Sequence, residues 1–209
     1  MKQVILTRTL QDSEETARLL KNRGFDPIIA PLFDRVPVAC SVPDRRFEAI
    51  IATSRQALLM LDGPTRTRLG KTPLYVVGPA TTTTAQALGF TSIRCGPGDA
   101  RGLAGLIIND LPPFSPLLFL TGQPRKPDLE TQLAPLFTLT LCTLYHSIDR
   151  DQFPPDALIQ ITDPAPVWLH FSLNSAERAA NLMEKAGKND LFRNSCHITL
   201  APAITETLK

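Results

Sequence analysis

The sequence predicts an α/β protein built from two similar parallel-sheet lobes. Short apolar runs alternate with longer amphipathic stretches, as in "QVILT" before "SEETARLLKNRG" and "EAIIAT" before "SRQALLML". This alternation is typical of parallel sheets covered by helices. Motifs of the first half also recur in order: "VILTR" resembles "LLFLTG", "ATSRQA" resembles "HFSLNSA", and "GPATTTTAQAL" resembles "APAITETL". Such a repeat favours two lobes, and chance similarity between short strand-to-helix turns is the alternative.

Two proline-marked segments are candidates for the connections between the lobes. They are "PLFDRVP", residues 31–37, and "YHSIDRDQFPP", residues 145–155. If both segments connect lobes, one lobe is discontinuous and contains both ends of the chain. A tandem division near Pro112 and Pro113 is the competing interpretation, and periodicity does not choose between the two.

Composition points to a small-molecule partner. The chain has 209 residues, of which 43% are hydrophobic, so it can bury a substantial core. The net charge of +2 and the lack of a lysine or arginine block argue against nucleic acid. No apolar run approaches the roughly 20 residues that cross a bilayer. We therefore expect no nucleic acid or membrane partner, and a monomer.

The cysteines and the amino terminus predict a cytoplasmic protein. Cys40, Cys95, Cys142 and Cys196 lie far apart, without the close pairs of a zinc site. The amino-terminal "MKQVILTRTL" has too short an apolar run for a signal peptide. These features predict reduced thiols and no metal centre.

Several familiar chemistries lack support. "CGPGDARG" has glycines in the wrong spacing for a dinucleotide loop, and Asp99 would bring negative charge towards a pyrophosphate. "GKT" at residues 70–72 precedes a strand pattern instead of a helix. No HExxH, GxSxG or Cys-x-x-Cys motif occurs. His170, in the apolar "VWLHF", is predicted to be a packed histidine.

Polar residues gather where the predicted strands end, the edge at which open α/β sheets bind ligands. Four threonines, residues 81–84, follow Gly78 and Pro79 at a helix amino terminus. Hydroxyls beside free N–H groups suit a carboxylate or phosphate, and a cap with solvated surface is the alternative. The polar groups at these ends are Thr7 with Arg8, Thr53 with Ser54, residues 78–84, Thr121 with Gly122, and Ser172.

Together these motifs resemble the uroporphyrinogen-III synthase family along nearly the whole chain. The resemblance rests on "VILTR", "IIATSRQAL", "LYVVGPATTTTAQALGF", "LLFLTG" followed by "RKPDLETQL", "LCTLY" and "WLHFSLNSAE". It implies two α/β lobes joined by two connecting strands. The first lobe would contain residues 1–36 and 147–209, and the second residues 37–146.

The resemblance also implies a reaction. Hydroxymethylbilane, a linear tetrapyrrole with eight carboxylates, would close to uroporphyrinogen III with inversion of ring D and loss of water. No cofactor is needed for this chemistry. The alternative is a bilobal module that binds a tetrapyrrole or another polyanion without turnover. A nucleotide-using enzyme is a third class, which the failed glycine motifs disfavour.

Matching positions supply the candidate site. Tyr145, at the end of "LCTLY", matches the family's tyrosine and is the predicted proton donor to the leaving hydroxyl. Helix capping by the serines and by Thr81 is compatible with binding. The predicted substrate contacts are Thr7, Arg8, Ser54, Gly78, Thr81, Gly122 and Ser172.

Two segments depart from the family pattern. In "APAIT", Ala201 and Ile204 stand where a glycine and a threonine are expected. In "GQPRKPDL", the usual arginine position holds Lys126, with Arg125 beside it, so that position keeps a positive charge without the bidentate fork of an arginine.

Overall fold

A computed structural model describes residues 1–161 and 166–208 as alternating strands and helices. This confirms the predicted α/β class. In chain order the elements are β1 (Gln3–Leu6), α1 (Leu10–Lys21), β2 (Asp26–Ile29), β3 (Phe33–Pro37), β4 (Ala49–Ala52), α2 (Arg55–Leu59), α3 (Gly63–Leu69), β5 (Leu74–Val76), α4 (Pro79–Ala87), β6 (Ile93–Cys95), α5 (Ala100–Asp110), β7 (Pro116–Gln123), α6 (Asp128–Leu133), β8 (Thr138–Asp149), α7 (Pro155–Gln160), β9 (Val167–His170), α8 (Leu173–Lys185), α9 (Asn189–Arg193), β10 (Cys196–Thr199) and α10 (Pro202–Thr207).

The chain forms two compact units. Unit 1 contains residues 1–35 and 148–209, and unit 2 contains residues 36–147. Strands β3 and β8 each include one of the boundaries between the units. The assignment of enzyme lobes to residues 1–36 with 147–209 and to residues 37–146 stays a prediction, and residues 162–165 and Lys209 of the first lobe lie outside the described residues.

Unit 1 is built on a parallel sheet with the strand order β10-β9-β1-β2. Successive side chains of a strand point to opposite faces, so each face forms its own core. Ile5 and Trp168 pack with Leu182 of α8 on one face, and Leu6 packs with Ala17 of α1 on the other. The carboxyl ends of β1, β9 and β10 therefore lie side by side at one edge.

Unit 2 is built on a larger sheet with the strand order β3-β8-β7-β4-β5-β6. Strands β8, β7, β4, β5 and β6 all run parallel to one another. The face of this sheet that contains Ile50 packs against Leu58 of α2 and Ala85 of α4. The opposite face, which contains Ile51, packs against Leu103 of α5 and Leu129 of α6. Ser54 and Gly78 lie in the turns after β4 and β5, and Gly122 lies near the end of β7, so all three are at the carboxyl edge of this sheet.

One prediction about the cysteines is wrong. Cys40 and Cys142 form a disulfide, with their Cα atoms 6.1 Å apart. Cys40 follows β3 beside β8, where the Val38 N–H donates to the Leu144 carbonyl at 2.9 Å. The two cysteines are 102 positions apart, so only the pairing of these segments brings them together. Cys95 and Cys196 are exposed free thiols.

The prediction of a packed His170 is confirmed. The side chain is buried, and its Nε2 lies 2.9 Å from Nδ1 of His197, whose Nε2 lies 2.8 Å from the Phe192 carbonyl oxygen. Trp168 stacks on both imidazoles. Burial, and then the charge of His197, lowers the pKa of His170 to about 4; burial also lowers the pKa of His197.

The lowered pKa values of His170 and His197 predict that unit 1 loses stability in acid. Because the folded pKa of His170 lies below the ordinary 6.5, the unfolded chain takes up the proton first, and stability is lost as pH falls from about 6.5 towards 4. We expect a loss of about 3 kcal/mol across that window. Urea unfolding followed by fluorescence of Trp168, the single tryptophan, measures it. His170→Gln should flatten the pH dependence, whereas an unchanged slope would contradict the assignment; exposed His146→Gln is the control.

Candidate functional site

The predicted donor Tyr145 is held by Ser54 in unit 2. Ser54 precedes α2 and caps it, since its Oγ accepts a hydrogen bond from the Gln56 N–H at 3.1 Å. The Tyr145 hydroxyl donates to the same Oγ at 3.2 Å. Tyr145 is only 9% exposed, so its ring is packed while its hydroxyl meets a polar group at the carboxyl edge. Capping by Ser54 and contact with Tyr145 are thus compatible.

Gly122 provides the space for the Tyr145 ring. The β7–β8 ladder is regular up to Thr121 paired with Thr143, and then the register shifts so that Gly122 pairs with Tyr145. A Cβ at position 122 would lie 2.2 Å from Cζ of Tyr145. Any side chain there would displace the ring, because real Cβ contacts do not approach so closely. The substrate contact at Gly122 stays a prediction, and in the structure this glycine leaves room for the Tyr145 ring.

The threonine run lies in α4, as predicted, but its hydroxyls do not gather at the helix mouth. Gly78 is the N-cap residue and lacks a side chain that could cap. The hydroxyls of Thr82, Thr83 and Thr84 donate to the carbonyls of residues 78, 79 and 80 at 3.3, 3.2 and 3.1 Å. Thr81 is buried in the first turn and does not cap the helix.

This corrects the picture of a hydroxyl-rich anion site. Hydroxyls in a helix interior often bond back to the carbonyl four residues earlier. What the α4 amino terminus can offer an anion is its first N–H groups, which have no helical partner, and the positive end of its dipole.

Thr7, Arg8 and Ser172 lie in unit 1, at the carboxyl ends of β1 and β9. Ser172 caps α8 by accepting from the Ser175 N–H at 3.2 Å. Thr7 is fully buried, and no partner for its hydroxyl occurs among residues 1–161 and 166–208. The Arg8 guanidinium lies over the Phe171 ring and 3.7 Å from Asp12 Oδ2.

Comparison with known proteins decides the family. A family model described as "Uroporphyrinogen-III synthase HemD" matches residues 14–209. The chain belongs to this family. It is therefore a cyclising lyase of tetrapyrrole biosynthesis, as the sequence predicted.

Solved uroporphyrinogen-III synthases share the fold. The enzyme of Helicobacter pylori 26695 superposes with a TM-score of 0.67 at 13% identity, covering 100% of this chain and 88% of that one. A mutant enzyme of the extremely thermophilic bacterium Thermus thermophilus superposes with a TM-score of 0.53 at 14% identity, with coverages of 100% and 88%. At these identities the likeness shows the fold alone. Comparison with curated protein sequences yields no match.

The structure describes both segments that depart from the uroporphyrinogen-III synthase pattern. Arg125 forms a two-point ion pair with Glu130, in which the Arg125 Nη2 lies 3.1 Å from Glu130 Oε2. Hydrogen bonding to Glu130 raises the pKa of Arg125. Exposed Lys126 is therefore the cation that remains accessible in this segment. At the other departure, Ala201 precedes α10 without a side-chain cap, and the Thr205 hydroxyl bonds to that of Thr199.

Within residues 1–161 and 166–208, no group of three or more His, Cys, Asp or Glu side chains is placed to hold a metal ion. Over the same residues, every helix is too short or too polar to cross a bilayer.

Sequence reasoning missed Asp12, which contacts both Arg8 and Arg35. The spacing of Arg8 and Asp12, four residues apart at the start of a predicted helix, is the signal that could have indicated it. Nothing in the local sequence indicated Arg35, because it lies on β3.

Proposed function

We propose that this chain closes hydroxymethylbilane to uroporphyrinogen III, with inversion of ring D and loss of water. The observation that carries the proposal is the Tyr145 hydroxyl, bonded to Ser54 at 3.2 Å and seated over Gly122. A tyrosine held in this way is a positioned general acid. In this proposal, units 1 and 2 act as the two lobes of the enzyme.

The first chemical step is loss of the terminal hydroxyl. As its C–O bond breaks, the hydroxyl takes the Tyr145 proton and leaves as water, while the electron pair of the adjacent pyrrole nitrogen forms the azafulvene. Ser54 Oγ accepts from both Gln56 and Tyr145, so its own proton is left to stabilise the tyrosinate oxygen. The pyrrole N–H proton later restores Tyr145, so the net change is loss of one water.

Ring inversion follows from geometry. The substituted α-carbon of ring D attacks the azafulvene methylene to give a spiro intermediate. The bond from that carbon to its original methylene on ring C then breaks and forms a second azafulvene. The free α-carbon of ring D bonds to this methylene and loses its proton, which a pyrrole nitrogen takes up, so ring D ends in the inverted orientation. The protein's part is to hold a flexible polyanion in the reactive geometry and to stabilise developing charge. The α4 amino terminus and Arg8 are the proposed carboxylate contacts, together with Thr7, Ser172 and Thr81.

Binding by local dipoles and a few cations predicts a dependence on ionic strength. Exposed charges are screened over about 8 Å at physiological salt. We expect the Kd for uroporphyrinogen III, kept reduced under nitrogen, to rise steadily with KCl concentration. The same titration with a neutral ester of the product serves as a control. Equal affinity for the acid at low and high salt would argue against a polyanion site.

The alternative is a binding module that has lost turnover, which the uncapped Ala201 turn favours. Incubation with fresh hydroxymethylbilane, followed by oxidation and separation of porphyrin isomers, distinguishes the two. The enzyme yields isomer III. Formation of isomer I alone, as in unassisted closure, would remove the enzymatic proposal.

We further propose a monomer that works in the cytoplasm without cofactor or nucleic acid. The Cys40–Cys142 disulfide is uncommon in that compartment and argues against this location. Alkylation of the protein in freshly lysed cells, under denaturing conditions that expose the buried Cys142, tests it. A reduced protein takes label at all four cysteines, whereas the disulfide leaves only Cys95 and Cys196 reactive before reduction.

A further inference from the structure

Asp12 joins two arginines at the carboxyl edge of the unit 1 sheet. Its Oδ2 lies 3.7 Å from an Arg8 nitrogen and 3.4 Å from an Arg35 nitrogen. The Thr9 hydroxyl donates to the same oxygen at 2.9 Å. Asp12 is buried and lies in the first turn of α1, where the helix dipole favours its negative charge. These contacts hold the carboxylate in one place.

Arg8 is held from two sides and still presents free donors. Its guanidinium lies 4.6 Å from the centroid of the Phe171 ring, a cation–π contact, and Asp12 attracts it from another side. Its side chain is 34% exposed. In the described parts of the chain, residues 1–161 and 166–208, no oxygen accepts a hydrogen bond from this guanidinium. Arg8 can therefore offer its forked N–H groups to a bound carboxylate.

Arg8 is one of several groups that stabilise the Asp12 carboxylate. Arg35, whose side chain is 21% exposed, and the Thr9 hydroxyl both act on the Asp12 carboxylate. Asp12 is thus stabilised by groups other than Arg8, so an incoming carboxylate can bind Arg8 without leaving Asp12 unpaired.

We propose that Asp12 is a positioning residue, which orients Arg8 to bind a side-chain carboxylate of the linear tetrapyrrole. The inference rests on the proposed function and extends it to a residue that does not touch the substrate. A guanidinium fixed before binding loses less conformational freedom when the carboxylate arrives. Arg8 binds, and Asp12 with Phe171 keeps the fork in the binding orientation.

The substitution Asp12→Asn separates this role from a simple charge effect, because the two predict opposite changes in affinity for uroporphyrinogen III. Removing a negative charge beside an anion site would tighten binding if Asp12 acted only through its field. If Asp12 positions Arg8, binding of uroporphyrinogen III should weaken about 3- to 10-fold. The KM for hydroxymethylbilane should rise in parallel while kcat stays close to the wild-type value.

A double-mutant cycle measures whether the effects of Arg8→Gln and Asp12→Asn on product binding are coupled. A residue that only supports the fold would show no such coupling. Arg8→Gln should weaken product binding about 10-fold or more, and adding Asp12→Asn should then have little further effect. Glu14→Gln and Arg18→Gln are matched controls, since both residues are exposed on the same helix. If Asp12→Asn fails to fold, Thr9→Val removes the hydroxyl bonded to Asp12 and should weaken binding in the same direction.

The outcomes separate the two proposals. Wild-type protein that neither binds uroporphyrinogen III nor forms isomer III would overturn the proposed function and the positioning role with it. Normal wild-type behaviour with unchanged or tighter binding by Asp12→Asn would overturn the positioning role alone. So would additive effects of Arg8→Gln and Asp12→Asn. Weaker binding with coupling between the two sites supports it.

Discussion

Tyr145→Phe is expected to lower turnover of hydroxymethylbilane by about 10² to 10⁴, the usual value of general acid assistance. The substitution keeps the ring seated over Gly122 and removes only the hydroxyl that donates to Ser54. Product affinity should change little, because the carboxylate contacts remain. Isomer I should accumulate as unassisted closure outruns the enzyme. Initial rates and the isomer ratio, measured on the same samples, check this expectation.

Tyr75→Phe is the matched control, since the chain has only two tyrosines. Tyr75 donates to Asp110 at 3.2 Å on the opposite face of the sheet, and burial, aided by the charge of Asp110, raises its pKa to about 12. Its loss should leave turnover unchanged. If Tyr145→Phe formed isomer III at a near-normal rate, the proton donor would have to be sought around Ser54, Thr81 and Ser172.

Gly122→Ala is expected to reduce turnover as strongly as the loss of the Tyr145 hydroxyl. The new methyl group would lie 2.2 Å from Cζ of Tyr145, so the ring must move away from Ser54. Overpacking of this kind costs about 1–3 kcal/mol of stability. We expect a folded protein with a lower melting temperature and almost no isomer III, which thermal unfolding and the isomer assay measure.

Gly105→Ala provides the comparison for a change from glycine to alanine. Gly105 lies within α5, and a Cβ there meets no atom within 4 Å, so the substitution should stabilise the helix slightly and preserve activity. Wild-type turnover by Gly122→Ala would show that the donor does not depend on the ring position seen here.

Local patterns predicted the elements and their order well, and α4 shows why. An apolar strand, a Gly-Pro turn and helix-compatible spacing are all encoded within a few residues, so the helix at Pro79–Ala87 could be anticipated. The roles of its hydroxyls could not. Whether a threonine caps a helix or bonds back to a carbonyl depends on which residue becomes the N-cap, here Gly78.

The site could be predicted in its residue types but not in its geometry. Ser54 could be named from its position after a strand, and Tyr145 from its match to the family's tyrosine. Their hydrogen bond, however, depends on elements far apart in sequence. The position of the Tyr145 ring over Gly122 depends on a register shift after Thr121, which no periodicity reveals. The disulfide at Cys40 escaped prediction for the same reason, since it requires β3 to lie beside β8.

The central claim is that the chain catalyses ring inversion, and the number of isomer III molecules formed per protein molecule tests it most directly. Hydroxymethylbilane is supplied in large excess, and isomers are counted before unassisted closure consumes the substrate. We predict many molecules of isomer III per molecule of wild-type protein, with a much smaller number for Tyr145→Phe. Isomer I alone, or isomer III that never exceeds one molecule per protein, would contradict the account.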